Sequence, residues 1–135
     1  MAVDHSLALQ AGVIAAIEAD AGLTALIAGR IYDYVPADPV FPYCRIGQMA
    51  ASPFEGDCID GSEIGFAVHG FTKEYGRAGA ADLAAALIAL LGRTTLDLGS
   101  GILADVRASD WTVLEDTGEK GAWHALINLT ATTAM

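Results

Sequence analysis

GRAGAADLAAALIALLG, residues 76–92, is the stretch that organises the rest of the chain. Leu83, Leu87, Leu90 and Leu91 fall at i, i+4, i+7 and i+8, one stripe of a 3.6-residue period, and Gly92 follows as a stop. The alanines between them favour helix and allow close packing onto a sheet. The flanking segments have a different period. Ile64, Phe66 and Val68 alternate with Gly65, Ala67 and His69, the pattern of a strand. Before it, Tyr43 to Ala50 reads as a strand and SPFEGDCIDGSE, residues 52–63, as a polar, glycine-bearing loop, so the two strands form a hairpin with a long tip. After the helix, Leu96 and Leu98 alternate and Gly99-Ser100-Gly101 breaks the pattern. Ile102, Ala104 and Val106 resume a strand that extends towards Trp111 and Val113. Residues 116–121, DTGEKG, signal a hairpin loop. The last strand sets Trp123, Ala125, Ile127 and Leu129 on one face and His124, Asn128 and Thr130 on the other.

At the N-terminal end, Leu9, Val13 and Ile17 recur every fourth residue, with Leu7 and Ile14 widening the stripe of an amphipathic helix. Asp20 is placed to cap a short second helix carrying Leu23, Leu26 and Ile27, and Gly29 stands at its C′ position. The order is α-α-β-β-α-β-β. It predicts an α+β domain spanning residues 1–135, an antiparallel sheet of about four strands with helices packed on one face.

Composition narrows the function. Apolar residues make up 53% and charged residues 18%, against roughly 25% charged in an average globular domain. The mean hydropathy of +0.42 is high for a lone soluble monomer. No window reaches the ~18 uninterrupted apolar residues of a membrane span, and MAVDHS lacks the basic and apolar regions of a signal peptide. A cytosolic chain that hides apolar surface by oligomerising is the reading that fits. The net charge is −10, with two lysines and five scattered arginines, which argues against tight nucleic-acid binding. Cys44 and Cys58 form neither a CxxC pair nor a zinc spacing and read as free thiols.

Catalytic chemistry finds no constellation. His5 lies at the N-terminal end, where fraying is expected. His69 and His124 lie on strands among apolar neighbours and meet only if those strands pair. A small enzyme or small-molecule-binding domain with a pocket near these two is the competing functional reading. No GxSxG serine or cysteine with a base accompanies them. Glu55, Asp57, Asp60 and Glu63 cluster in the 52–63 loop. They do not match the register of an EF-hand and read as a solvated acidic tip rather than a calcium site. Gly76-Arg77-Ala78-Gly79 is neither a GxxxxGK[ST] nor a GxGxxG pattern.

What remains is the segment GRIYDYVPADPVFPYCRIG, residues 29–47. Pro36, Pro39 and Pro42 exclude helix, and Tyr32, Tyr34, Val40 and Phe41 are apolar or aromatic material outside any regular element. Ile31, Phe41 and Tyr43 read as cover for the end of the core. Tyr34 and Pro36 are open between core cover and an interface, where tyrosine is enriched.

This segment also carries a resemblance. The N-terminal helix followed by LTALIAGRIYDYVPADPVFPYCRIGQ, residues 23–48, resembles a family of small phage tail-completion proteins, which includes the tail terminators of long-tailed phages and phage-like gene transfer agents. The family signature is a leucine-rich helix, GRIYD-x-VP, a few residues, then FPY and a strand ending in glycine. Gly29 to Asp33, Val35-Pro36 and Phe41-Pro42-Tyr43 match it, and the later elements follow in order to about residue 133. The resemblance implies a virion structural protein with no catalytic residues or cofactors. Such a protein assembles as a ring, commonly a hexamer, on the last ring of tail-tube protein and offers a surface to the head–tail connector, with DNA passing through the lumen. It implies a place in the virion tail, reached from the host bacterial cytoplasm during assembly. Under it, Ile31, Phe41 and Tyr43 become anchors into the core, and Tyr34 and Pro36 become candidates for contact with the neighbouring subunit. The loop after Ala50 varies in such proteins, so the acidic residues Glu55 to Glu63 receive no role from it: lumen, neighbour and solvent all stay open.

Overall fold

The longest ladder in the molecule runs from Gly61↔Ala134 to Lys73↔Ala122, joining two strands far apart in the chain. Residues 4–56, 59–73 and 76–134 are described by the computed structural model. The elements are α1 (Ser6–Ala19), α2 (Ala21–Ile27), β1 (Ile31–Tyr32), β2 (Tyr43–Ile46), β3 (Ala50–Gly56), β4 (Ile59–Lys73), α3 (Ala78–Leu91), β5 (Arg93–Gly99), β6 (Ile102–Glu115) and β7 (Ala122–Ala134). The sheet order is β1-β2-β4-β7-β6-β5, with β3 pairing beside β4. All pairings are antiparallel except β1 with β2.

The alternation in β4 and β7 buries one side chain in two. Ile64, Phe66 and Val68 from β4 and Ala125, Ile127, Leu129 and Ala131 from β7 face the helices. Against them lie Leu9, Val13 and Ile17 of α1, Leu23 and Ile27 of α2, and Leu83, Leu87 and Leu91 of α3. Small residues set the approach of helix to sheet. A Cβ on Gly70 would stand 2.6 Å from Leu83 Cδ2, so α3 comes close to β4 at that point. Asp20 ends α1 and starts α2, which turns the chain by 85°. Its carboxylate accepts the Leu23 N–H at 2.9 Å, one of the donors a helix start leaves unmet. Ala28 and Gly29 then take left-handed conformations, φ 52° and 77°, which closes α2 where the glycine was expected.

The α+β class with helices on one face stands, but the antiparallel sheet of about four strands is corrected to a mixed sheet, parallel at β1–β2, with seven strands among the described residues, in the order α-α-β-β-β-β-α-β-β-β. Two residues of β1 are too few to show a period. The SPFEGDCIDGSE stretch is not a loop: β3 and the start of β4 pair through it in a hairpin. Ala50, Ala51, Ser52 and Pro53 of β3 are all exposed, without the one-sided burial that writes alternation into a sequence. Asp57 and Cys58 lie outside the described residues.

Two further expectations are corrected. Leu7 is not part of the buried stripe of α1; it is 77% exposed, and among the described residues no element covers it. His5 is not frayed but 5% exposed, with its Nδ1 2.7 Å from Thr133 Oγ1 near the end of β7. The His5 N–H donates to Ser62 Oγ at 3.3 Å, and the Ser62 N–H to Thr133 Oγ1 at 3.0 Å, so a buried polar cluster ties the start of α1 to β4 and β7. Cys44 is buried and its thiol is pushed up to about 12 by desolvation, which keeps it unreactive in the folded chain.

These assignments separate in a stability measurement. Leu87→Ala removes a fully buried side chain and is expected to cost about 2–5 kcal/mol in urea unfolding. Leu7→Ala is expected to stay within about 0.5 kcal/mol of the parent, since the side chain is exposed and helix propensity hardly changes. A large loss at Leu7 would restore it to the core.

Candidate functional site

The segment between Gly29 and Gly47 folds as a strap over one end of the sheet. Both of its ends are fastened by main-chain bonds. The Cys44 N–H donates to the Arg30 carbonyl at 2.8 Å, the first bond of the parallel β1–β2 pair, and the Gly47 N–H donates to the Ala67 carbonyl at 2.7 Å. Arg30 Nε donates to the Pro42 carbonyl at 2.9 Å, and Gln10 Nε2 of α1 donates to Asp33 Oδ2 at 3.3 Å. The Phe41–Pro42 peptide is cis.

Strand parity divides the strap's side chains between two surfaces. Cys44 and Ile46 point to the helices, where Ile31 joins the same core cluster. Tyr43 is also buried, but it lies on the other face of the sheet, beside Phe71 of β4. There it belongs to a ladder of rings. Phe41 meets Tyr43 edge to face at 5.2 Å and Tyr32 lies 6.0 Å from it. Tyr43 stacks on Phe71 at 5.0 Å, Phe71 on His124 at 4.5 Å, and His124 on His69 at 4.9 Å. Each such pair adds roughly 0.5–1.5 kcal/mol beyond the area it buries. Phe41 is half-buried, under Lys73 Nζ at 5.7 Å from its ring centre, and Lys73 is paired with Glu119 at 2.6 Å. Phe71 links the strap to the histidines; its place in the β4 alternation was the only sequence signal for it.

The expected meeting of His69 and His124 occurs, because β4 and β7 pair. His69 Nδ1 and His124 Nε2 are 2.7 Å apart, so one ring donates and the other accepts. Burial, then the positive charge of Arg45 and the neighbouring imidazole, lowers His69 to about 4; burial also lowers His124. The two imidazoles hold each other, and neither lines the clefts of about 380, 340 and 500 Å³. The pair therefore reads as part of the ring ladder. The last of these clefts lies beside the strap, lined in part by Asp38, Phe41, Tyr43, Lys73, Asp116 and Glu119.

The outer surface of the strap is open. Tyr34 is 86% exposed, Val40 62% exposed, and Pro36 is exposed. At the far end of the sheet Trp111 of β6 is 54% exposed, a residue that sequence reasoning treated only as a strand position. Of the acidic residues, Glu55 and Asp60 are register partners across the β3–β4 hairpin, Glu63 is exposed on β4, and Asp57 lies outside the described residues. Among the described residues no group of three or more His, Cys, Asp or Glu side chains is placed to hold a metal ion.

Comparison with known proteins adds to this geometry. Residues 11–134 match the sequence profile of the family described as tail completion protein gp17. The fold is similar to a chain in the virion of a native gene transfer agent particle, with a TM-score of 0.83 and 24% identity over 96% of this chain and 97% of that one. It is also similar to the gp17 protein of bacteriophage SPP1, with a TM-score of 0.62 and 24% identity over 94% and 89%. At this identity the two likenesses speak for the fold. No curated protein sequence matches the chain.

The histidine pair gives a pH-dependent expectation. With its folded-state pKa near 4, His69 binds fewer protons than in the unfolded chain, whose value is near 6.5. The stability it carries is complete above about pH 6.5 and is lost as the pH falls through that window to about 4, with no further loss below. Melting curves of the parent and His69→Asn should therefore converge between pH 7.5 and pH 4.5. A gap that stays constant would show that the pair does not titrate in this range.

Proposed function

This chain belongs to the tail completion protein gp17 family, and on that premise we propose that it caps the tail tube of a phage or gene transfer agent as a ring and offers the head–tail joining surface. Family membership makes it a structural component of a virion tail. The finer reading is mechanical. Subunits in a ring, probed first as a hexamer, occupy the growing end of the tube and stop further addition of tube protein. The upper face of the same ring then receives the connector of the head. The observation that carries the reading is the family match over residues 11–134, which includes the whole strap.

Physical features support it. A ring subunit needs exposed apolar groups on a rigid frame, and Tyr34 and Pro36 stand outward on a strap whose base is buried in Ile31 and Tyr43. In this reading Ile31, Phe41 and Tyr43 anchor the strap, and Tyr34 and Pro36 touch the neighbouring subunit. The net charge of −10 suits a lumen through which DNA slides, because a negative wall does not retain phosphates. An electropositive lumen in the assembled ring would remove that part of the proposal.

Electron microscopy of tails assembled with and without the chain tests the function. Tubes of uncontrolled length are expected in its absence. Tubes of normal length that fail to attach heads would assign it to joining alone. Tyr34→Ala is expected to leave the melting temperature within a few degrees of the parent, since the side chain is exposed, while reducing the fraction of capped tubes about tenfold. Equal losses of folding and capping would return Tyr34 to the core.

A further inference from the structure

We propose that the open edge of β6, from Trp111 to Glu115, takes the strap of a second copy of this chain as an added strand. The proposal rests on the ring reading above and names the contact that would close the ring.

The edge is defined by hydrogen-bond parity. Over Ile102–Arg107, β6 is flanked by β5, and that flank ends where the Ala108 N–H donates to the Gly92 carbonyl at 2.9 Å. A bulge between Ala108 and Asp110 then shifts the register of β6 on β7. Beyond it, the Asp116 N–H bonds the Ala122 carbonyl at 3.0 Å, which sets the alternation: Thr112 and Leu114 bond β7, opposite Leu126 and His124. Trp111, Val113 and Glu115 turn their N–H and C=O groups away from β7. Among the described residues nothing bonds these groups.

Natural sheets blunt such edges. The outer edge of β3 has Pro53, which has no N–H, at its centre, and β5 lies under α1, where a Cβ on Gly12 would overlap the Leu98 side chain. The Trp111–Glu115 stretch holds neither proline nor lysine, and it exposes Trp111 and, in part, Leu114. An unprotected edge with an apolar side chain is one that a partner covers.

The strap is the matching half. It lies beyond β1 and β2, at the end of the sheet opposite β6 and β5. Among the described residues no backbone–backbone bond uses residues 33–41. Within residues 33–38 Asp33, Val35 and Ala37 share one parity and all carry an N–H, whereas Pro36 falls on the other parity, where an added strand needs no donor; Pro39, which would fall on the donor parity, ends the usable run. Two unlike surfaces at opposite ends of one sheet make a head-to-tail contact, the kind that closes into a ring when the rotation fits. Asp33 and Asp38 on one side and Asp110 and Glu115 on the other are all acidic, so the contact is held by main-chain bonds and by Trp111, Leu114 and Tyr34, not by charge pairs.

Residue-resolved amide hydrogen exchange on the free chain and on the ring assembled on tail tubes tests this. The amides of Trp111, Val113, Glu115, Val35 and Ala37 are expected to slow by about tenfold or more in the ring, while Thr112 and Leu114, already bonded in the sheet, change little. In parallel, Trp111→Pro removes an outward donor that the chain's own sheet does not use. It is expected to reduce ring formation at least about tenfold with the fold kept. A ring that forms while these amides exchange at the free rate, or that forms equally well from a folded Trp111→Pro chain, overturns the edge contact and leaves the cap standing. Failure of the parent chain to form any ring on tubes overturns both.

Discussion

The antiparallel pairing of β4 with β7 is the constraint on which the rest depends. It joins residues 61–73 to residues 122–134 and fixes which side chains face the helices. A one-residue slip of β4 on β7 would turn Ile64, Phe66 and Val68 away from the helices and bring His69 and Phe71 under them. The register is held at both ends by different chemistry. At one end His5, Ser62 and Thr133 satisfy one another in a buried polar cluster. Towards the other, Phe71, His124 and His69 stack across the two strands.

From that pairing follows the position of the strap. Because β2 pairs with β4, Tyr43 is set opposite Phe71, and the strap is fixed to the ladder of rings on the sheet face opposite the helices α1, α2 and α3. The prolines restrict the unfolded states of the segment, so less entropy is lost in holding it to one shape. The outcome is a segment with a buried base and an exposed crest. In the proposed ring, such a segment would present Tyr34 to a neighbour with little further ordering to be imposed on contact.

Much of this was legible in the sequence, for physical reasons that can be named. Leu83, Leu87 and Leu91 and the alternation of Ile64, Phe66 and Val68 were readable because each element has one buried face. The β3–β4 hairpin was not, because residues 50–53 of its arm are exposed in succession and carry no alternation, and β1 is too short to show any. Leu7 and His5 failed for a shared reason. Whether a residue near a chain end is covered depends on distant elements, and the partner of His5 lies 128 residues away. The meeting of His69 with His124 was conditional on a strand pairing that periodicity does not specify. For the strap, composition raised the question without answering it. The residues of its motif pointed to the family, and the parity of β2 separated Ile31 in the helix-side core from Tyr43 in the ring ladder.

The most direct measurement is a cryo-electron microscopy reconstruction of the capped end of the tail, at a resolution that traces residues 29–47. The expected result is a closed ring in which each strap lies against the neighbouring copy, with Tyr34 buried in that contact. A ring whose straps face solvent or the DNA channel, with subunits joined elsewhere, would contradict it.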